Sequence, residues 1–273
     1  MMDTSNMPVT SREYKLMLNT DRFKSPEQGS EIFLDLINFL VEKEGGKITK
    51  KQNKEEKRKT SYLDTSELAL WRQGFTLRLR EEDKAEDGFQ INLKYRSPDR
   101  YISAAQDLSS SQAGKTKFEE DILPPFVSRF SHSTSINTSA LPDLSSMKKV
   151  ISLFLGLKHL EIDGNTTVET VKGFEAKEVV RKLCQFQFEE ATTIVKASLS
   201  FWHLTEKEND WPIVVEFSFD YDALDSGTGR DELEMYPRKL VEGANRFFSA
   251  LQNQAGWVSS NTTTKTAFAL GIL

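Results

Sequence analysis

The chain is poor in cysteine and histidine, has no surplus of positive charge, and contains no long apolar run. Its single cysteine, Cys184, leaves no intramolecular disulfide framework and suits a reducing compartment; within Leu-Cys-Gln-Phe it reads as a small buried residue. The three histidines, His132, His159 and His203, show no HxxxH spacing, and with no CxxC pair a zinc site is not expected. No apolar stretch approaches the ~20 residues of a membrane span. Residues 1–10 lack a basic segment followed by an apolar one, so no secretory signal is expected, and the cytoplasm is the expected location. With 36 Lys and Arg against 41 Asp and Glu, the formal charge is −5. A general nucleic-acid binder carries a basic surplus. That class is set aside, and any phosphate recognition has to be local.

What the composition does provide is a core. A hydrophobic share of 38% and an aromatic share of 10% suffice for one large domain, since all-β barrels often run beyond ~200 residues as a unit. Neither an internal repeat nor a Pro/Gly-rich linker divides the chain. Residues 1–10 read as a flexible leader and 11–273 as one domain, with an irregular insertion near 124–146, where Ser, Thr, Asn and Pro accumulate. Helices are expected over 30–44, 147–157 and 237–255; the first has Ile32, Phe33, Leu36, Ile37 and Leu40 on its apolar face and Gly45-Gly46 as its stop. The lysine-rich stretch 47–59 reads as a solvated loop or hairpin edge. Strands are expected at 12–18, 60–64, 75–80, 89–95, 117–122, 160–169, 179–189, 193–204, 213–221 and 232–236. Many strands, few helices and no βαβ alternation give a mainly β (α+β) class, as an antiparallel barrel or sandwich.

The polar faces of these strands are charged in a selective way. In Phe75-Thr-Leu-Arg-Leu-Arg80 the apolar side chains share one face, and Arg78 and Arg80 project together from the other. Gln90, Asn92 and Lys94 alternate with Phe89, Ile91, Leu93 and Tyr95. Lys117, Glu119 and Asp121 share a face, as do Glu216, Ser218 and Asp220, and Glu232 and Glu234. A half-exposed sheet whose polar face meets water explains any one of these strands. Like charges recurring at i and i+2 on several strands repel unless counter-charges sit between them. Arginine forks suit phosphate oxygens, and clustered carboxylates suit Mg²⁺ or Mn²⁺. Glu13 and Lys15 read equally well as an ion pair on a solvent face, and Glu216 and Asp220 stand outside the expected metal set.

Taken in order, these motifs resemble the CYTH family of triphosphate tunnel metalloenzymes. The family opens with an ExExK strand, to which Ser11-Arg-Glu-Tyr-Lys15 is similar, with Ser11 in place of the first glutamate. Tyr62-Leu-Asp-Thr65, followed by a Gly turn and Arg78-Leu-Arg80, resembles the family's next block. Lys94, Lys117-x-Glu119-x-Asp121 and Glu232-x-Glu234 resemble its later motifs. Arg181, Lys182 and Lys196 are candidates for further basic positions, and Lys265 for a lysine of a C-terminal helix.

The resemblance implies a closed eight-stranded antiparallel tunnel barrel with helices packed outside. It implies that Lys15, Arg78, Arg80, Lys94 and Arg181 bind a small-molecule triphosphate or polyphosphate, and that Glu13, Glu119, Asp121, Glu232 and Glu234 hold Mg²⁺ or Mn²⁺. Glu13, Lys15 and Lys94 are then the catalytic groups. The implied activity is metal-dependent hydrolysis of inorganic triphosphate, thiamine triphosphate or a nucleoside triphosphate. Two alternatives use the same scaffold: an adenylate cyclase, and a catalytically weakened polyphosphate- or nucleotide-binding module in which Ser11 has removed a metal ligand.

Overall fold

Strand alternation decides the architecture, because each strand carries an apolar set on one face and a polar set on the other. The computed structural model describes residues 7–82, 88–188, 191, 193–204, 211–223, 236–259 and 263–272. Its strands are β1 (Ser11–Leu18), β2 (Gly46–Asp64), β3 (Phe75–Glu82), β4 (Phe89–Ser97), β5 (Lys115–Leu123), β6 (Val127–Thr138), β7 (Glu169–Phe188), β8 (Val195–Leu204) and β9 (Val214–Asp222). They close into a ring in the order β1-β5-β6-β4-β3-β2-β7-β8-β9, with β9 pairing back onto β1. The ring has nine strands where eight were expected, and it is not wholly antiparallel: β1 and β5 run parallel.

Among the described residues six α-helices lie outside: α1 (Pro26–Lys43), α2 (Ala69–Arg72), α3 (Arg100–Ala104), α4 (Met147–Leu153), α5 (Arg238–Gln252) and α6 (Lys265–Leu270). The largest apolar cluster joins the outward faces of β1, β7, β8 and β9 to α1 and α5, through Tyr14, Phe33, Phe186, Phe217, Phe219, Phe247 and Phe248. Tyr14 stacks on Phe219 with ring centroids 4.5 Å apart. A second cluster joins Phe75, Leu77, Ile91, Leu93 and Ile136 to Met147 and Val150 of α4. The cores therefore lie outside the ring, and the polar faces are left to line its interior. Burying one such large side chain contributes about 1.5–3 kcal/mol, so stability resides on the outer face.

Several expectations are corrected. Residues 127–138, read as irregular from their Ser and Thr content, form β6, which pairs with both β4 and β5. The strand puts small polar side chains at alternate positions, Ser131, Ser133 and Ser135, opposite Arg96, Lys94 and Asn92 of β4. The lysine run 47–59 is not a loop; it belongs to β2 and pairs along its length with β7, leaving Lys47, Lys54, Lys57 and Lys59 in water. Within the expected leader, Val9 is buried against the cluster of Ala104 and Phe118, and the Thr10 amide donates to the Phe118 carbonyl at 2.7 Å. Residues 160–168 are irregular around a turn at 164–165 and not a strand, and α3 lies between β4 and β5. The helix expected from Ser30 begins four residues earlier. Ser25 caps it by accepting from the Gln28 amide at 3.4 Å, Pro26 starts it, and Ser30 donates to the Pro26 carbonyl. The strand expected at 232–236 lies outside the described residues except for Tyr236. Among the described residues no helix is long and apolar enough to cross a membrane.

If the outer face is the core, Phe219→Ala should lower the free energy of unfolding by about 3–5 kcal/mol, read from urea titrations. A loss below about 1 kcal/mol would contradict the assignment.

Candidate functional site

The interior holds a cavity of about 400 Å³, a size that suits a small-molecule ligand. Nine basic and six acidic side chains line it, so among the described residues its wall is net cationic. The basic groups concentrate on three adjacent strands: Arg58 on β2, Arg78 and Arg80 on β3, and Lys94 and Arg96 on β4. Register explains the clustering, since Tyr62 pairs with Arg78, Thr60 with Arg80, Thr76 with Lys94 and Arg78 with Asn92. On the other side of the ring, β1 and β9 bring Glu13, Glu216, Asp220 and Asp222 to the lining. Serines at inward positions, among them Ser198, Ser200 and Ser218, leave the space that larger residues would fill.

Two buried carboxylates organise the cations. Asp121, fully buried, is held by Lys15 Nζ at 2.7 Å, Arg96 Nη2 at 2.6 Å and the Ser131 hydroxyl at 2.7 Å. Burial disfavours its charge, yet Lys15, Arg96 and Lys94 outweigh burial and hold its pKa well below the usual carboxylate range. Lys15 also reaches Glu13 at 2.8 Å. Glu178 on β7, also without exposure, is held by Arg58 at 2.6 Å, Lys265 at 3.0 Å and Arg80 at 3.4 Å. Its pKa is likewise held low against burial, by Lys265, Arg80 and Arg58. Lys265 is brought in by α6, whose cap Thr264 accepts from the Ala267 amide, and it bridges Glu178 to Glu216.

The remaining cations are under-compensated. Among the described residues, the Nε atoms of Arg78 and Arg80 are buried without a hydrogen-bond partner, an arrangement that in a native protein calls for an explanation. Burial and the neighbouring Arg78 push Arg80 down to about 9, low for a guanidinium though still charged at neutral pH. Burial pushes Lys94 down to about 8, with Lys15 and Arg96 acting in the same direction; its contact with Glu119 is long, at 3.7 Å. An anion entering the cavity would relieve all three groups.

The acidic side shows the opposite strain. Glu13 and Asp220 are register partners across β1 and β9, and burial, with the charge of Glu13, raises the Asp220 pKa to about 6. Two described members of the expected metal set, Asp121 and Glu119, are engaged by side-chain donors. Both oxygens of Asp121 are occupied by Lys15, Arg96 and Ser131. Glu119 is engaged by Lys117 at 3.2 Å and by the Ser11 hydroxyl at 3.1 Å. Glu232 and Glu234 lie outside the described residues. Among the described residues no three His, Cys, Asp or Glu side chains converge as a metal-binding group. The donor pair that does suit a divalent cation is Glu13 with Asp220, two hard anionic ligands whose repulsion such an ion would relieve.

Of the expected site residues, Glu13, Lys15, Arg78, Arg80, Lys94 and Glu119 line the interior, and Asp121 lies buried beside them. Arg181 is a correction: on β7 the inward parity belongs to Glu178, Val180 and Lys182, so Arg181 faces outward. There it pairs with Glu55, and it anchors α1 through the Pro26 carbonyl and Ser30 hydroxyl, each at 3.1 Å. Lys196 pairs with Asp222 at 2.7 Å. Sequence reasoning passed over Arg58, Arg96 and Glu178. Arg58 and Arg96 could have been found by continuing the two-residue period beyond Tyr62 and Lys94.

No family model matches the chain, and no curated protein matches it. Solved structures do resemble it. One is a candidate adenylyl cyclase from Hippeastrum described as having dominant triphosphatase activity, with 12% identity, 97% of each chain covered and a TM-score of 0.48. A second is a candidate adenylate cyclase from Bacillus halodurans, with 10% identity, 96% of this chain and 97% of that chain covered, and a TM-score of 0.42. A third, a candidate adenylate cyclase from Vibrio parahaemolyticus, has 12% identity over 97% of this chain and 98% of its own, and a TM-score of 0.37. Likeness at this level carries no functional weight, and the chemistry rests on the side chains of the site.

The raised Asp220 pKa has a consequence for stability. The contribution of this carboxyl is fully present below its ordinary value of 3.8 and is lost as pH rises through about 6. Wild type should therefore lose stability relative to Asp220→Asn as pH rises from about 4 to about 7, read by chemical denaturation at several pH values. A difference that does not vary with pH would contradict the shift.

Proposed function

We propose that the interior binds a triphosphate and that the chain hydrolyses it with the help of a divalent metal. The observation that carries this reading is the pair Arg78 and Arg80, two half-buried arginines on one inward face whose buried Nε atoms have no partner among the described residues. Guanidinium forks match phosphate oxygens in geometry and charge. Arg78 is, among the described residues, also without a recorded ion pair, which makes it the natural first contact for an incoming phosphate. Lys94, whose pairing is weak, and Arg80 extend the same cationic wall.

Mg²⁺ and Mn²⁺ are commonly held by one or two carboxylates together with substrate phosphates, and Glu13 and Asp220 offer that pair. When bound, such an ion would neutralise phosphoryl charge and polarise the phosphorus–oxygen bond. The chain's own part is to position the substrate and to stabilise its charge, the two requirements that dominate phosphoryl transfer. Asp121 keeps Lys15 and Arg96 fixed, and neither cation has to reorganise when the ligand arrives.

A second reading, binding without turnover, is favoured by one feature. Ser11 is buried and donates to Glu119, so the position that would supply a further carboxylate instead neutralises nothing and ties up a neighbour. Release of orthophosphate from tripolyphosphate, measured with Mg²⁺ and with Mn²⁺, separates the two readings. Turnover with either metal supports hydrolysis, and binding without turnover under both supports the second reading. Formation of pyrophosphate and cyclic AMP from ATP would instead indicate a cyclase.

Arg78→Ala should weaken tripolyphosphate binding roughly 10–100-fold, the size expected of a charge-assisted hydrogen bond. Arg181→Ala, which faces α1, should lower thermal stability and leave the affinity within about twofold. Equal losses in the two variants would contradict the interior site.

A further inference from the structure

The most unusual group in the cationic wall is an anion. Glu178 points inward from β7 between Arg58 and Arg80, and its side chain is fully buried. Its oxygen Oε2 receives Arg58 Nε at 2.6 Å, the Thr60 hydroxyl at 3.1 Å and Arg80 Nη2 at 3.4 Å. Oε1 receives the Ser200 hydroxyl at 2.8 Å and Lys265 Nζ at 3.0 Å. Two guanidinium groups, one ammonium and two hydroxyls, supplied by β2, β3, β8 and α6, converge on one carboxylate.

That donor set is richer than a carboxylate needs. Among the described residues, three cations meet this single negative charge, and only Lys265 has a second anionic partner, Glu216 at 3.0 Å. Arg80 is left with an unpartnered Nε in spite of its contact with Glu178. Guanidinium forks combined with an ammonium and hydroxyls make up the usual surroundings of a phosphoryl group. Alternate residues on one face of a strand are about 6.5–7 Å apart, so a phosphate seated on Arg78 has Arg80, and behind it Glu178, as its next neighbours along β3.

We propose that Glu178 is a specificity-determining residue, a resident carboxylate that fills one phosphate position of the interior and so limits the site to short phosphate chains. The role rests on the reading that the interior binds a triphosphate, and it adds the direction in which the chain cannot extend. A chain that reaches past Arg80 meets a fixed negative charge in place of a free cation cluster. Glu178 also fixes Arg58, Arg80 and Lys265 in place, which a purely structural group would do as well, so the test has to read selectivity and not stability.

The full chain, without divalent metal so that no turnover occurs, is titrated calorimetrically with pyrophosphate, tripolyphosphate and tetrapolyphosphate at one ionic strength, as wild type and as Glu178→Gln. Wild type should bind tetrapolyphosphate no more than about threefold tighter than tripolyphosphate, because the added phosphate meets the fixed charge of Glu178. Glu178→Gln should gain about tenfold or more for tetrapolyphosphate and less than about threefold for pyrophosphate, which fits at the Arg78 end. An equal gain at all three lengths would reduce the effect to net charge and overturn the proposal, as would no gain in a folded variant. If wild type binds the phosphates and Glu178→Gln gains nothing, the triphosphate reading stands and only this role falls; if wild type binds none of them, both fall. Should circular dichroism show that Glu178→Gln does not fold, Glu178→Asp keeps the charge on a shorter arm and is expected to gain about threefold for tetrapolyphosphate. No gain there overturns the proposal.

Discussion

Buried like charges must find counter-charges, and in this chain closure of the sheet forces the issue. Once nine strands form a ring, every second residue of each strand faces inward, and water cannot solvate them as it solvates an open sheet. The chain meets the requirement with Asp121 and Glu178, each bound by cations from several strands. Together they account for Lys15, Arg96, Arg58 and Lys265, and partly for Arg80. What remains is a wall in which, among the described residues, Arg78 and the Nε of Arg80 lack partners and Lys94 is only loosely paired. The functional reading rests on that residue of uncompensated charge.

The division of labour follows from the same geometry. Stability comes from the outward faces, where Tyr14, Phe217 and Phe219 pack against Phe33, Phe247 and Phe248. Buried ion pairs contribute little net stability, since desolvation offsets their attraction, yet removing one partner costs about 3–5 kcal/mol. The interior can therefore be specialised for charge without being asked to hold the fold together. Arg181 marks the boundary: one position out of phase with Glu178 and Lys182, it works on the outer side by anchoring α1.

Much of this arrangement was legible in the sequence, because alternation is a local signal. That Arg78 and Arg80, Lys94 and Glu119 lie on the polar faces of their strands follows from the two-residue period; that these faces turn inward follows from closure of the ring. The extent of the strands did not follow everywhere, since composition misled in two places. Serine at Ser131, Ser133 and Ser135 suggests a loop when read as composition, but on β6 it supplies small inward groups opposite long basic ones. The lysine run of β2 suggests a loop when read as charge, but its exposed lysines sit on a strand that pairs along its length with β7. Arg181 was misplaced because parity across a long strand cannot be fixed without its partner. β7 pairs with β2 through several register shifts, and with β8 through another near Cys184. The pairing of Asp121 was the least legible part, because a carboxylate held by Lys15 and Arg96 looks the same in sequence as one free to bind an ion.

The most direct measurement is a crystal structure of the protein grown with tripolyphosphate. The account predicts phosphate density inside the ring, with its oxygens at hydrogen-bonding distance from the guanidinium groups of Arg78 and Arg80. An empty interior at saturating ligand, or phosphate bound only to the exposed lysines of β2, would contradict it.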